Sequence, residues 1–167
     1  MKSFSELLGK VSTTVHIEID IYALLYDSER FTFEVFLELY AKRRDNIEQE
    51  QLKSDPYFVD LLESLLKLRE HCDFYESVFP PVMVYRKMKT PGFYEISDRN
   101  HLFEIAKEGY TELGYTVLYC SKHKFFVEFG HDKCLLFYTW AHQPINNSLK
   151  EIIKGAFTWS KEFRLKE

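Results

Sequence analysis

The sequence contains no apolar run long enough to cross a membrane and no standard catalytic motif. No stretch approaches the roughly 18 apolar residues of a membrane-spanning helix, and the polar start MKSFSELLGKV does not resemble a signal peptide. A glycine-rich phosphate loop, a G-x-S-x-G elbow and an H-E-x-x-H zinc motif are all absent. These absences favour a soluble, cytoplasmic, non-enzymatic protein, for which we predict no cofactor.

Turn-forming residues and cysteines are also scarce. Only six glycines and five prolines are present, which excludes collagen-like and low-complexity classes. The three cysteines, Cys72, Cys120 and Cys134, are odd in number and lie in apolar surroundings. This pattern is typical of reduced cysteines in an intracellular protein rather than of a disulfide framework.

Aromatic residues, by contrast, are abundant, at 17% of 167 residues. Such an excess indicates either a thick core or a surface that contacts a partner. The length fits a single domain, residues 1–167. The net charge of −4 is uneven, because residues 1–80 carry nine Lys or Arg against sixteen Asp or Glu. An acidic balance argues against a general nucleic-acid-binding protein.

Two N-terminal segments alternate apolar and polar residues with the period of a half-buried strand. The apolar positions are Val15, Ile17, Ile19 and Ile21 in the first segment, and Phe31, Phe33, Val35, Leu37 and Leu39 in the second. Because the intervening DSER is polar, we predict a β-hairpin in which the odd-numbered residues of both strands share one face.

Helix signals and a second group of strands follow. Asp55 before Pro56 predicts a helix that continues to about residue 74, and Ser148 with Glu151 forms a capping box for a last helix that continues to about residue 164. Three short strands, YTVLYC, KFFVEF and CLLFYTWA, indicate a meander over residues 115–141. We predict an α+β fold, with an antiparallel or mixed sheet built from the N-terminal hairpin and the C-terminal three-strand meander, and about four helices packed on it.

The stretch CSKHKFFVEFGHDKC carries potential metal ligands at both ends, Cys120 with His123 and His131 with Cys134. A zinc site requires four ligands about 2.0–2.3 Å from one ion. The spacer KFFVEF has the composition of a buried strand, and six strand residues span roughly 20 Å. We therefore predict that the two ligand pairs lie at opposite ends of a strand and share no metal.

The polar face of the predicted hairpin carries a histidine and four carboxylates: His16, Glu18, Asp20, Glu34 and Glu38. Such a face could receive a basic partner protein, with the carboxylates acting on association rate and partner choice. An alternative is a metal-dependent enzyme or a small-ligand-binding protein that uses the same five residues.

The predicted last helix has an unusually wide apolar sector, because Phe157 and Trp159 flank its stripe. Either this sector packs on the sheet or it contacts a second chain, so a homodimer through this helix is one hypothesis and Trp159 is a candidate partner-binding residue. The basic, aromatic segment 85–94 supports a weaker hypothesis of nucleic-acid binding.

The leading functional hypothesis is a small cytoplasmic module that binds another protein, as immunity proteins, secretion chaperones and adaptors do. It is an analogy of size and charge. The predicted partner-binding residues are Glu18, Asp20, Glu34, Glu38 and Trp159. No catalytic or metal-binding residue is assigned.

Overall fold

The computed structural model describes residues 1–2, 4–8, 25–26, 29–38, 49–78, 90–111, 116–130, 134–160 and 162–165. These residues contain four α-helices: α1 (Phe4–Leu8), α2 (Pro56–Arg69), α3 (Arg99–Thr111) and α4 (Asn147–Ala156). A 3-10 helix, Gln49–Ser54, precedes α2. The strands are β1 (Phe31–Glu38), β2 (Phe74–Val78), β3 (Gly92–Glu95), β4 (Val117–Cys120), β5 (Phe125–Gly130), β6 (Cys134–Trp140) and β7 (Glu162–Leu165).

All seven strands form one antiparallel sheet with the order β3-β2-β4-β5-β6-β1-β7. The α+β class and the β4-β5-β6 meander are therefore confirmed. The arrangement around β1 differs from the prediction, because β1 lies between β6 and β7. The first strand of the predicted hairpin, 15–21, lies outside the described residues. None of the helices within the described ranges is long and apolar enough to cross a membrane.

One face of the sheet packs against α2, α3 and α4. Its core joins helix residues such as Leu65, Leu102 and Ile153 to strand residues such as Val127 and Phe137, all of them buried. Side chains cap the first backbone amides of α2 and α4, which have no partner within the helix. Asp55 accepts from the amides of Tyr57 and Phe58, and Asn146 accepts from the amide of Leu149 at 2.8 Å. All three long helices contribute buried residues to this one core.

The opposite face carries a second and strongly aromatic cluster. It contains Leu8 of α1, Leu25 and the strand residues Phe31, Tyr75, Phe93, Val117, Tyr119, Phe126 and Tyr138. Ring centroids lie 4.6 Å apart for Tyr119 and Phe126 and 5.6 Å apart for Phe31 and Phe126. The aromatic excess of the sequence thus serves a core on each side of one sheet.

A β-bulge at Glu34 changes which face β1 presents. Phe33 pairs with Tyr138 and Val35 pairs with Phe137, so Glu34 is an extra residue in the ladder. Phe33 packs against the aromatic cluster, whereas Val35 belongs to the helix-side core. The prediction that the odd residues of this strand share one face is wrong, because alternation in sequence does not reveal an inserted residue.

Helix α2 ends earlier than predicted, and a strand follows it directly. The helix ends at Arg69, the amides of His71 and Cys72 make three-residue turn bonds, and β2 begins at Phe74. All five residues of β2 are buried. The strand was not predicted because Glu76 places a polar residue on its helix-facing side. This carboxylate is accommodated there by a hydrogen bond with His101 of α3 at 2.8 Å.

The last helix also differs from the prediction at both ends. Asn146, rather than Ser148, is the N-cap, and α4 ends at Ala156 instead of residue 164. The chain then turns, with the Ser160 amide donating to the Phe157 carbonyl at 2.9 Å. Strand β7 follows and pairs with β1. The backbone groups of 162–165 thereby form ladder hydrogen bonds, which compete with continuation of the helix.

The first residues extend the other edge of the sheet. Lys2 forms an isolated antiparallel bridge with Phe93 of β3, with both hydrogen bonds at 2.8 Å. Gly92 is needed beside this bridge: its φ is +155°, and a Cβ there would lie 3.0 Å from the Lys2 carbonyl oxygen. The bridge fixes the start of the chain immediately before α1.

Candidate functional site

Of the predicted acidic surface, the structure describes Glu34 and Glu38. Glu34 is only 7% exposed, and its carboxylate lies 3.8 Å from Lys150 Nζ of α4. Glu38 is half-buried, and its backbone carbonyl accepts a hydrogen bond from Ser160. The remaining members, His16, Glu18 and Asp20, lie outside the described residues. The charge of Glu34 therefore lies beside that of Lys150. The docking and metal hypotheses for this face stay predictions.

Trp159 lies in the turn after α4 rather than on a helix. Its indole Nε1 donates a hydrogen bond to Ser64 Oγ of α2 at 2.6 Å, and its ring centroid is 6.1 Å from that of Phe157. Phe157 itself is 2% exposed. The aromatic flank of α4 thus packs largely on the helix-side core, and Trp159 is half-buried against it.

The ends of the CSKHKFFVEFGHDKC stretch are separated by β5, as the sequence predicts. Cys120 pairs with Phe125 at one end of this strand, and Cys134 pairs with Gly130 at the other. His131 lies outside the described residues. Within the part of the chain that the structure describes, no group of three His, Cys, Asp or Glu side chains is arranged to hold a metal ion.

The residues around Cys120 stabilise the β4-β5 turn. Asp73 accepts hydrogen bonds from the Ser121 hydroxyl and from the Lys122 amide, and His123 Nε2 donates to the His71 carbonyl at 2.9 Å. A hydrogen bond to the Cys120 thiol, together with burial, raises the pKa of Cys72. Since the thiolate is the reactive form, Cys72 has the character of a core residue rather than of a nucleophile.

A cleft of about 480 Å³ lies on the aromatic face of the sheet, opposite the long helices. It forms where α1, the residues before β1, the β4-β5 turn and the end of β6 meet. The lining residues are Leu7, Leu8, Glu29, Arg30, Tyr119, Lys124, Trp140, His142 and Gln143. Volumes of this order are typical of small-molecule sites, which combine apolar walls with a few polar groups.

Tyr119 is the most unusual residue of the cleft. Its side chain is 0% exposed, and its hydroxyl has no hydrogen-bond partner among the described residues. The ring is held between Phe93 and Phe126, at centroid distances of 5.3 and 4.6 Å. Burial raises the pKa of the phenol, so the hydroxyl stays protonated and can donate at neutral pH. A buried hydroxyl without a partner carries a desolvation cost of about 1–3 kcal/mol, which a bound ligand could relieve.

Trp140 and His142 form an aromatic wall of the cleft. The Trp140 ring lies 4.4 Å from Phe31, tilted by 31°, and 6.0 Å from the His142 ring. Trp140 is half-buried and His142 is exposed. Phe31 is fully packed behind the indole, so the indole is held in one orientation while part of it remains accessible.

Two basic residues stand at the rim. Arg30 is half-buried, and Lys124 is exposed at the last position of the β4-β5 turn. Lys124 has a φ of +59°, the left-handed conformation that favours glycine. The turn geometry therefore requires an unusual backbone for a lysine, and this lysine lines the cleft.

Sequence analysis did not find this cleft, because its residues come from separate segments of the chain. Alternation did place Tyr119 and Trp140 in the strands of the meander. Periodicity could not show that the Tyr119 hydroxyl lacks a partner, since this depends on which residues pack around it. The one local signal is the cation-rich segment SKHK, in which only His123 was considered, as a potential metal ligand.

Comparisons with known proteins add no family to this geometry. No protein-family model, no curated protein and no solved structure matches the chain.

Proposed function

We propose that this protein binds a small molecule in the cleft between α1 and the aromatic face of the sheet. The observation that carries the proposal is Tyr119, a residue that lines the cleft and whose fully buried hydroxyl has no partner among the described residues. Buried polar groups in proteins are almost always hydrogen-bonded, and exceptions mark sites where a ligand or water completes the network. A ligand acceptor group beside Tyr119 would complete it here.

The rest of the lining fits the same function. Leu7 and Leu8 of α1 supply an apolar wall, and Trp140 supplies an aromatic one. Lys124 and His142 are exposed at the mouth, where they can orient a polar substituent. Several apolar surfaces with a few convergent polar groups are the usual composition of a ligand pocket.

The two tryptophans provide a direct test. Trp140 lines the cleft, whereas Trp159 is hydrogen-bonded to Ser64 on the helix side of the sheet. In ¹⁵N-labelled protein their indole N–H signals report on two separate places. A set of small aromatic and polar fragments is expected to include compounds that shift the Trp140 signal and leave Trp159 unchanged. If no fragment moves Trp140, or all move both signals equally, the proposal is wrong.

A pair of tyrosine variants tests the role of the hydroxyl. Tyr119→Phe removes a buried group that has no partner, so we expect stability to be unchanged or higher by about 1 kcal/mol, with weaker fragment binding. Tyr110→Phe is the control, because the Tyr110 hydroxyl donates to Asp55 at 3.2 Å on the helix side. It should lower stability by about 1 kcal/mol and leave binding intact. The same outcome in both variants would contradict the proposal.

We retain as a second proposal that the protein is a cytoplasmic module that binds another protein. The observation that favours it is on α2, where Tyr57 and Val59 are 42% and 38% exposed. Val59 lines a groove of about 450 Å³ that also contains Phe103. Three free cysteines, two of them buried, fit a reducing compartment.

This second proposal predicts that a charge in the groove abolishes partner binding. Val59→Asp should prevent co-purification of a specific partner from the native host, because it introduces a carboxylate into an apolar contact. Asp60→Asn alters an exposed residue of the same helix and should leave the partner bound. Sedimentation of the purified protein distinguishes a second copy of this chain from a different protein. A partner retained by Val59→Asp would exclude this groove as the docking surface.

A further inference from the structure

The polar groups around the cleft are mostly hydrogen-bond donors. Tyr119, Trp140 and Lys124 can each donate, and within the described residues their side chains make no hydrogen bond to the protein. The Trp140 indole and the Lys124 ammonium have no acceptor function at all. Such a set is matched by a ligand that supplies acceptors, and a carboxylate is the strongest small organic acceptor because its hydrogen bonds are charge-assisted.

The charge of the lining also differs from that of the whole chain. Among the described residues that line the cleft, Arg30 and Lys124 carry positive charges and Glu29 carries the one carboxylate. The chain as a whole carries −4. A locally positive cleft in an acidic protein attracts anions and disfavours cations. Within the described lining, this excess of positive charge fits a ligand with a negative charge.

The shape of the aromatic wall indicates a planar ligand. Trp140 packs on Phe31 at a centroid distance of 4.4 Å, is half-buried and lines the cleft, so it offers an aromatic side chain that is held on one side. Tyr119, held by Phe126, lines the same cleft. Aromatic pairs contribute about 0.5–1.5 kcal/mol beyond their buried area. A ring that contacts Trp140 could thus place its acid group near the donors.

We propose that the ligand is a planar aromatic or heteroaromatic monocarboxylate, whose ring contacts Trp140 and whose carboxylate accepts from Tyr119 and approaches Lys124. This inference rests on the proposed function, because it names the ligand class of the same cleft. The volume of about 480 Å³ holds one or two fused rings with an acid group.

Four probes of similar size separate the contributions. Benzoate carries both features, benzamide keeps the ring without the charge, cyclohexanecarboxylate keeps the charge without the aromatic ring, and benzylamine reverses the charge. Titrations followed at the Trp140 indole should give benzoate an affinity about tenfold higher than that of benzamide, a difference of about 1.4 kcal/mol. Benzylamine should bind weakest, and added salt should weaken benzoate more than benzamide.

A pair of lysine variants tests the charge directly. Lys124→Gln removes the cleft ammonium and should lower benzoate affinity about threefold to fivefold without changing benzamide. Lys122→Gln alters an exposed lysine of the same turn that does not line the cleft, and it should have no effect. Equal binding of benzoate, benzamide and benzylamine at Trp140 would overturn the carboxylate inference while leaving small-molecule binding in place. No response of Trp140 to any compound would overturn both.

Discussion

Gly109 and Gly155 lie in helices on the same face of the sheet, but their surroundings are opposite. A Cβ at Gly109 in α3 would lie 2.3 Å from Phe129 Cδ1, whereas a Cβ at Gly155 in α4 would meet nothing within 4 Å. The first glycine lets a helix approach the sheet closely. The second leaves space, so its cost to helix stability is not offset by packing.

Alanine substitutions at the two glycines should therefore have opposite effects. Gly109→Ala should destabilise the protein by about 1–3 kcal/mol, because the new methyl displaces the Phe129 ring. Gly155→Ala should stabilise it by about 0.5–1 kcal/mol through helix propensity alone. Urea unfolding of both variants measures the difference, and each variant serves as the control for the other. Effects of the same sign would show that the approach of α3 to β5 is less close than described.

Single residues also differ in how far their structural role can be predicted from the sequence. Asp55 was identified as a helix cap from its neighbours in the chain, and its carboxylate accepts from the first amides of α2. Glu34 was assigned to a polar face and is instead a bulge residue beside Lys150. A cap depends on residues three positions away, whereas a bulge depends on a partner strand about a hundred residues away.

At the scale of elements, the sequence was most informative where a segment has one dominant pattern. The strands β4, β5 and β6 of the meander follow their predicted period. Strands β2 and β7 were missed, since the first contains a polar residue satisfied by a helix and the second follows a helical pattern without a break. Their identity comes from the strands they pair with, which local propensity does not include.

The Lys2–Phe93 bridge predicts that the edge of β3 depends on the first residues of the chain. Lys2→Pro removes the amide that donates to the Phe93 carbonyl at 2.8 Å. Losing one bond of the pair should weaken the other, so the Phe93 amide should exchange about tenfold faster with deuterium. Lys2→Ala removes the lysine side chain, which lies over the Tyr75 ring, and keeps both backbone bonds. Equal exchange of the Phe93 amide in the two variants would contradict this role of the bridge.

At the scale of the whole molecule, the sheet separates two different environments. Its helix side carries an aliphatic and aromatic core under α2, α3 and α4, and its other side carries the aromatic cluster and the cleft. The class of the fold followed from the sequence because β1, the strands of the meander and the predicted helices show their own periods. The cleft could not be predicted from the sequence, because residues of α1, the segment before β1, the β4-β5 turn and the end of β6 meet there only once the strand order is known.

Because of the bulge at Glu34, the fold depends on the number of residues in β1 as well as on their identity. The residues before it contact the aromatic cluster, and those after it contact the helix-side core. Deleting one residue at this point would keep every apolar side chain, yet it would direct Val35 and Leu37 to the wrong layer. This strand should therefore tolerate exchange of one apolar residue for another far better than it tolerates a change in residue number, so that spacing, rather than chemical identity, is the property under the strongest constraint.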